Sequence, residues 1–438
     1  MENTPDIMTA VERAYGRLAP FRAARRRFKS FTYGRQWDDP VHTPSGKLMT
    51  EGEYASINGR MPLTNNMINR LVKTIVGHFR TRGADGNADA PVDHNRLPEL
   101  DARMLEEFLV SGCAVQRVGR ERRPAGEGVW VDNVCPTDFF CSEIRDPRSL
   151  DCELIGMFHS WSPAETLGRL AGGSRSRAAE IRRLYDGRRD AEGRCRVVEV
   201  WTLDTVEQLR CHDPLTASLY TLPAARESEI TALNRKRARK GLARVNVRYE
   251  LTTGWTGRFL TPDGYELKRV EAPTHPFAVK FYPLLDGEIH PFVEGLIDQQ
   301  KYINRLITLI DNMMSTSAKG VLLFPEDQVC QQLEWDDIRE LWASYDGVIP
   351  YNPRPGQPGP QQVVTNPATS GAYDLVNLEI KLFERVGGVS DSLQGQTSGG
   401  TGNSASLFDA QTRNSMAALA DIFDSFADFQ RARNTLLQ

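Results

Sequence analysis

No stretch of the chain approaches the roughly 20 consecutive apolar residues of a membrane span. Its opening residues, MENTPDIMTA, lack the basic-then-apolar pattern of a secretory leader. These two absences predict a protein that is cytosolic at synthesis and keeps clear of membranes. A basic excess is missing as well: 54 Lys and Arg stand against 57 Asp and Glu, for a formal net charge of -3. That excludes a surface that grips nucleic acid everywhere, because neutralising phosphate needs surplus cations. A conduit for DNA is not excluded. Cysteine pairs at metal or redox spacing are absent too. The seven cysteines (Cys113, Cys135, Cys141, Cys152, Cys195, Cys211 and Cys330) form no CxxC and no zinc spacing with the seven histidines. They read as reduced, mostly buried thiols, and no metal is assigned.

Catalytic signatures are also missing. There is no GxSxG, HExxH or dinucleotide-binding fingerprint. Gly395 and Gly400 have the spacing of the two P-loop glycines, but Thr401 stands where the phosphate-reaching lysine is needed. The segment before them reads as helix where a strand is required. The adjacent carboxylates Asp336 and Asp337 diverge by about 100° on a helix and cannot share a substrate. These observations predict no enzyme and no cofactor.

What is present is an ordinary globular composition, 40% hydrophobic and 25% charged over 438 residues, enough for two or three cores. Residues 7–29 carry apolar positions at spacings of three and four and predict a helix despite Pro20. Its basic end (Arg22, Arg25, Arg26, Arg27, Lys29) is either a solvated helix terminus or a nucleic-acid contact. A Gly/Pro/Ser-rich stretch, 34–62, precedes an apolar stripe (Met67, Ile68, Leu71, Val72, Ile75, Val76) that predicts a helix over 65–79. A further helix is expected over 97–110, with strands over 129–134 and 196–203. Glu227–Lys240 reads as a helix ending in Arg235, Lys236, Arg237, Arg239 and Lys240, again a solvated end or a nucleic-acid contact. Val245, Val247, Tyr249 and Leu251 alternate as in a half-buried strand.

The character changes at Pro291, a plausible first helical position. Val293, Leu296, Ile297, Ile303, Leu306, Ile307, Ile310 and Met314 form one stripe. Glu294, Asp298, Lys301, Arg305, Thr308 and Asn312 form the other face, expected to meet water or a partner. An α/β stretch (321–351) with a helix start at Glu334-Trp335-Asp336-Asp337 follows, then a Pro-rich loop. A helix over 373–386 should stop at Gly387-Gly388. The segment 390–406 has few large apolar residues and reads as a loop. A last helix runs from about 406, with Leu407, Met416, Leu419, Ile422, Phe423, Phe426 and Phe429 on its buried side.

Several separated segments resemble portal proteins of tailed phages, the podovirus-type family in particular. They are Tyr33-Gly34-Arg35-Gln36-Trp37; Pro62 to Ile68 with Ile75-Val76-Gly77; Val134 to Phe139 with Asp146-Pro147; and Val198 to Trp201. Pro276-Phe277, then Pro291-Phe292 through Asp298-Gln299-Gln300-Lys301-Tyr302-Ile303-Asn304-Arg305, match most closely, and Gly399 to Arg413 resembles the family's loop-then-helix ending. The marks span 33–413 in the family's order.

The resemblance implies an α+β portal fold in a ring oligomer: a mixed α/β wing (1–290), long stem helices (291–314 and 373–388) and a small α/β clip (315–372). A tunnel loop (389–405) and a wing or crown-side helix (406–438) complete it, with a crown absent or truncated. It implies a channel of about twelve subunits at the capsid vertex, carrying about -36 before counter-ions. Double-stranded DNA would pass through it without sequence reading during packaging and ejection. The alternative is another capsid or tail structural protein without a channel. Expected partners are further copies of the chain, the terminase large subunit, the head-tail adaptor and tail proteins, and the major capsid and scaffolding proteins. The protein would reside in the host cytoplasm before assembly and in the virion afterwards. Candidate DNA-contacting residues are Gln396, Thr397, Ser398, Gly399, Gly400, Thr401, Asn403 and Ser404. Glu294, Asp298, Lys301, Arg305, Lys381 and Arg385 are candidates for the tunnel or ring interface. Glu334, Trp335, Asp337, Arg339 and Trp342 are candidates for clip docking.

Overall fold

The computed structural model describes residues 5–57, 60–84, 94–123, 126–317, 321–344, 347–363, 369–388 and 417–438. The described helices are α1 (Pro5–Arg17), α2 (Ala19–Thr32), α3 (Glu51–Ile57), α4 (Met67–Ala84), α5 (Leu97–Ser111), α6 (Pro163–Leu170) and α7 (Arg175–Leu184). They continue with α8 (Glu227–Arg239), α9 (Ile297–Ser317), α10 (Trp335–Ala343), α11 (Thr369–Val386) and α12 (Ala420–Leu437). The strands are β1 (Pro40–His42), β2 (Leu48–Thr50), β3 (Cys113–Arg123), β4 (Gly126–Asn133), β5 (Phe139–Cys141), β6 (Leu154–Trp161) and β7 (Cys195–Asp213). After them come β8 (Ser218–Pro223), β9 (Asn246–Leu260), β10 (Glu266–Ala272), β11 (Phe277–Phe281), β12 (Val321–Leu323) and β13 (Gln361–Val363).

The chain divides into two compact units. One holds Met1–Lys29, Val72–Glu294 and Met416–Gln438; the other holds Ser30–Leu71 and Gly295–Ser415. The first is built on two antiparallel sheets, β10-β9-β7-β6-β5 with β8 beside β7, and β11-β3-β4. Cys113, Val115, Phe139, Ile155, Trp201, Phe277 and Phe281, drawn from both sheets, share one buried core. Helix α5 buries Ala102, Leu105, Phe108 and Leu109 at helical spacing and ends at Gly112. Gly112 has φ +69, and a Cβ there would stand 2.7 Å from the Tyr282 carbonyl oxygen, so the turn into β3 requires glycine. Helix α12 packs on β11 and β3 and buries Ile422, Phe426 and Phe429.

Strand β7, at 19 residues, outruns β6 and continues as a three-stranded arm with β8 and β9. Leu209, Cys211, Ile230 and Val245 form the arm's own small core under α8. Val245 is buried, but Val247, Tyr249 and Leu251 are exposed. Their alternation defined a shared face of a strand and not what covers that face.

The second unit pairs β1 with β2 as a hairpin and packs α9 against α11. Helix α11 stops as expected: the Gly387 N–H donates to the Phe383 carbonyl at 2.9 Å, and Gly388 takes φ +64. Strands β12 and β13 pair antiparallel.

Boundaries differ from the sequence reading in several places. The 7–29 helix is two helices broken at Leu18, because Pro20 offers no N–H for a continuous ladder. The 34–62 stretch contains β1, β2 and α3, elements too short to show a period. Pro291 precedes a 3-10 turn (Glu294–Leu296), and α9 starts only at Ile297. Helix α11 starts at Thr369, ahead of the expected Tyr373. The N-terminal cations are partly structural: Arg25 forks onto Glu107 at 2.6 and 2.7 Å, and Arg22 lies over the Tyr15 ring.

Candidate functional site

Three of the segments that carry the family resemblance, 33–37, 62–68 and 297–305, meet in the second unit. Gln300 and Asn304 are one turn apart on α9, so both face the same side, and both are buried. Gln300 Oε1 accepts the backbone N–H groups of Met67 (2.9 Å) and Ile68 (3.2 Å), which open α4. Those N–H groups have no acceptor inside their own helix. Gln300 Nε2 donates to the Asn65 carbonyl at 2.6 Å and to Asn304 Oδ1 at 3.1 Å. Asn304 Oδ1 also accepts Asn65 N–H at 3.0 Å, and Asn304 Nδ2 donates to Gln36 Oε1. Gln36 Nε2 reaches the Phe31 carbonyl at 2.8 Å and Asn66 Oδ1 at 3.1 Å. One turn further along α9, Thr308 Oγ1 accepts Leu63 N–H at 3.1 Å. Gln300 thus uses every donor and acceptor it has. The array is a neutral lock that ties α9 to residues 31–69, with no proton to move and no exposed nucleophile.

Beside the amides lies a charged layer. Lys301 Nζ sits 2.8 Å from Asp39 Oδ2 and 3.2 Å from Glu51 Oε2, and Arg305 Nε donates to Glu51 Oε1 at 2.5 Å. Two cations balance two buried carboxylates. This corrects the expected division of α9: Lys301, Arg305 and Thr308 do not simply face water, because residues 39–63 of the same chain take them. Polarity at helical spacing cannot tell a solvated face from one matched by buried acids and amides. Asp39 and Glu51, which fix this arrangement, went unread because they lie in the segment that looked like loop.

The other candidates stand apart from this network. Glu294, in the 3-10 turn, accepts from His290 Nδ1 at 3.0 Å; that bond, with one to Glu288, raises the His290 pKa. Asp298, Lys381 and Arg385 are exposed. Glu334 and Asp337 form a capping box at the start of α10, so the helix begins where the acidic cluster predicts and both acids have a structural task. Trp335 is exposed, with its ring edge-on to Phe324 at 6.3 Å. Trp342 is half-buried. Arg339 pairs with Asp336 at 3.1 Å, both largely in solvent. Gln396, Thr397, Ser398, Gly399, Gly400, Thr401, Asn403 and Ser404 lie outside the described residues, as do Leu407 and Met416 of the expected last helix.

The first unit holds two buried ionic clusters that sequence reasoning missed. Glu199 is fully buried and receives Arg117 Nε at 2.7 Å, Trp201 Nε1 at 3.0 Å and His159 Nε2 at 2.7 Å. Burial works against its charge, but Arg117, His159 and Trp201 outweigh it and hold the carboxyl at a pKa of about 2. Arg433 of α12 pairs with Asp101 of α5, and Gln116 joins them. Glu199 and Trp201 stand in the Val198–Trp201 motif, but nothing in the sequence marks their partners, since His159 lies 40 residues from Glu199 and Asp101 lies 332 from Arg433.

Part of the family resemblance lies in the amide lock, and the comparison with family models extends over most of the chain. The model of the Phage P22-like portal protein family matches residues 92–436. The chain belongs to that family. No curated protein matches it. A phage portal protein is a structural component, which accords with a network built to hold rather than to react. Among the described residues, no helix of this portal chain is long and apolar enough to cross a membrane.

Proposed function

We propose that this portal protein is one subunit of a closed ring at the capsid vertex, through which double-stranded DNA is packaged and later ejected. The observation that carries the reading is the family match over residues 92–436. Two features of the second unit support it. Helices α9 and α11 pack together and bracket a small α/β segment, and a satisfied amide network makes α9 rigid. A channel wall needs that rigidity, because a duplex under motor force loads it along its length.

In this reading residues 1–290 form the wing, 291–314 and 373–388 the stem, 315–372 the clip, 389–405 the tunnel loop and 406–438 the wing or crown-side helix. Lys301 and Arg305 are already neutralised by Asp39 and Glu51. On the stem, the exposed Asp298, Lys381 and Arg385 are left to meet DNA or a neighbouring subunit. Few free cations suit a sliding duplex, since each gripped phosphate releases counter-ions and strengthens binding. The tunnel loop supplies weak polar contacts through Gln396, Thr397, Ser398, Asn403 and Ser404. The clip, presenting Trp335 and Arg339, docks the terminase large subunit during packaging and the adaptor afterwards. Deleting residues 396–403 should leave assembly intact and lower DNA packaging or retention in a reconstituted assay. Normal packaging and retention by the deletion variant would refute the loop's role.

A further inference from the structure

The arm formed by β7, β8 and β9 carries a charge distribution that the channel reading does not use. Between Thr231 and Tyr249 the chain has seven Lys or Arg and no Asp or Glu. Arg237 is already engaged: its guanidinium forks onto Asp213, with both bonds at 2.7 Å. Arg235, Lys236, Arg239, Lys240, Arg244 and Arg248 are exposed and make no ion pair among the described residues. Arg210 on β7 is likewise exposed and unpaired there, and it stands directly opposite Arg248 of β9.

Directly opposed residues of an antiparallel pair share one face, and like charges so placed destabilise the sheet. Cations in the last turn of α8 and at its C-cap are accounted for by the helix dipole, which favours Lys236, Arg239 and Lys240. The dipole explains neither Arg244 nor the Arg210–Arg248 pair. Leu209 and Cys211 turn to the other face, under α8, so the Arg210–Arg248 face is the one α8 leaves open. The end of the arm is also held in place. Asn234 of α8 donates to the Val245 carbonyl at 3.0 Å and accepts its N–H at 2.8 Å, fixing the loop that joins the helix end to β9. The cations therefore concentrate where β7 ends, β9 begins and α8 stops, in a chain whose net charge is -3.

We propose that this arm is a binding site for the phosphate backbone of double-stranded DNA, without sequence preference and separate from any channel. Around Arg210 and Arg248, the same sheet face presents Gln208, His212, Asn246 and Thr221, with Leu219 its one large aliphatic and Glu250 its one acid. Arg, Lys, Asn, Gln and Thr are side chains that contact phosphate. A protein-docking face would instead need an apolar core with aromatic anchors. Bound phosphate would also relieve the Arg210–Arg248 repulsion.

The test uses the full chain and a covalently closed DNA minicircle, which cannot thread a channel, with binding read by mobility shift over a salt series. Wild-type protein should bind it, with affinity falling as salt rises. R210E/R248E should weaken binding about tenfold and lower the salt slope by roughly two, the value for two lost phosphate contacts. R182E/R183E on α7, an equal charge change at exposed positions, should bind as wild type. R210Q/R248Q, which only removes the repulsion, should melt higher than wild type without DNA and lose the shift that DNA gives wild type. Failure of wild type to bind the circle at low salt, or equal losses in the α7 control, would overturn the proposal. So would competition by polyglutamate as effective as by DNA at equal charge, which would assign the arm to an acidic polypeptide.

Discussion

Replacing Gln300 with Met tests the amide lock at its most connected residue. Methionine keeps the length and unbranched shape of glutamine and removes both polar atoms. Ile68 N–H then has no other acceptor among the described residues, whereas Met67 N–H keeps the Asn65 carbonyl at 3.0 Å and Asn304 Oδ1 keeps Asn65 N–H. One orphaned buried donor costs about 1–3 kcal/mol and each other lost hydrogen bond about 1 kcal/mol, so the expected destabilisation is about 3 kcal/mol. The cost should appear locally, because the severed bonds join α9 to the start of α4. Hydrogen exchange of peptides covering residues 62–70 should accelerate by roughly 100-fold if local opening governs it. Asp298→Ala, at an exposed position of the same helix, should leave those peptides unchanged. A Q300M variant with unaltered exchange at 62–70 and an unaltered denaturation midpoint would defeat the claim that this network holds the helix.

Lys301→Met should destabilise more than Arg305→Met in urea denaturation, because Lys301 bridges both buried carboxylates while Arg305 reaches only Glu51 and is half in solvent; removing one partner of a buried pair costs about 3–5 kcal/mol. Equal losses would contradict the assignment. Arg433→Met removes the cation that pairs with the buried Asp101 and should free α12, read as earlier limited proteolysis near the C-terminus; unchanged cleavage kinetics would count against it. Glu199 has its pKa depressed to about 2 from the ordinary 4.5 of a glutamate. A depressed carboxyl contributes stability that is present above the unfolded pKa and is lost as pH falls through the folded one. Wild type should therefore lose stability between about pH 4.5 and 2 that Glu199→Gln, less stable at neutral pH, no longer has to lose. Parallel acid-denaturation curves would speak against that.

The elements with one apolar stripe were legible. Met67, Ile68, Leu71, Val72, Ile75 and Val76 are all buried on α4 as their spacing predicts, and Gly387-Gly388 ends α11. Elements without a period were not: β1 and β2 have three residues each, fewer than an alternation needs to show itself. The polar side of α9 was only half legible: Thr308 falls on a face expected to meet water or a partner, while Gln300 and Asn304, at the same four-residue spacing, stand out only as part of the family motif. Uncharged amides at that spacing fit a buried hydrogen-bond seam as well as a wet one, and the matching groups lie more than 230 residues away. For the same reason Asp101 and Arg433, on two helices, or Arg117 and Glu199, on two strands, are ordinary surface residues until the fold brings them together. The candidate site was legible only as a set of motifs in family order, and its chemistry came from the structure.

The central claim, that this chain forms a ring with an open channel, is tested most directly by class-averaged electron microscopy of the purified protein, assembled with scaffolding protein where required. Closed rings follow from repeated heterologous contacts whose rotation closes. The account predicts end-on views of closed rings of about twelve subunits around a central opening. Two-fold particles or open filaments under the same assembly conditions would contradict it.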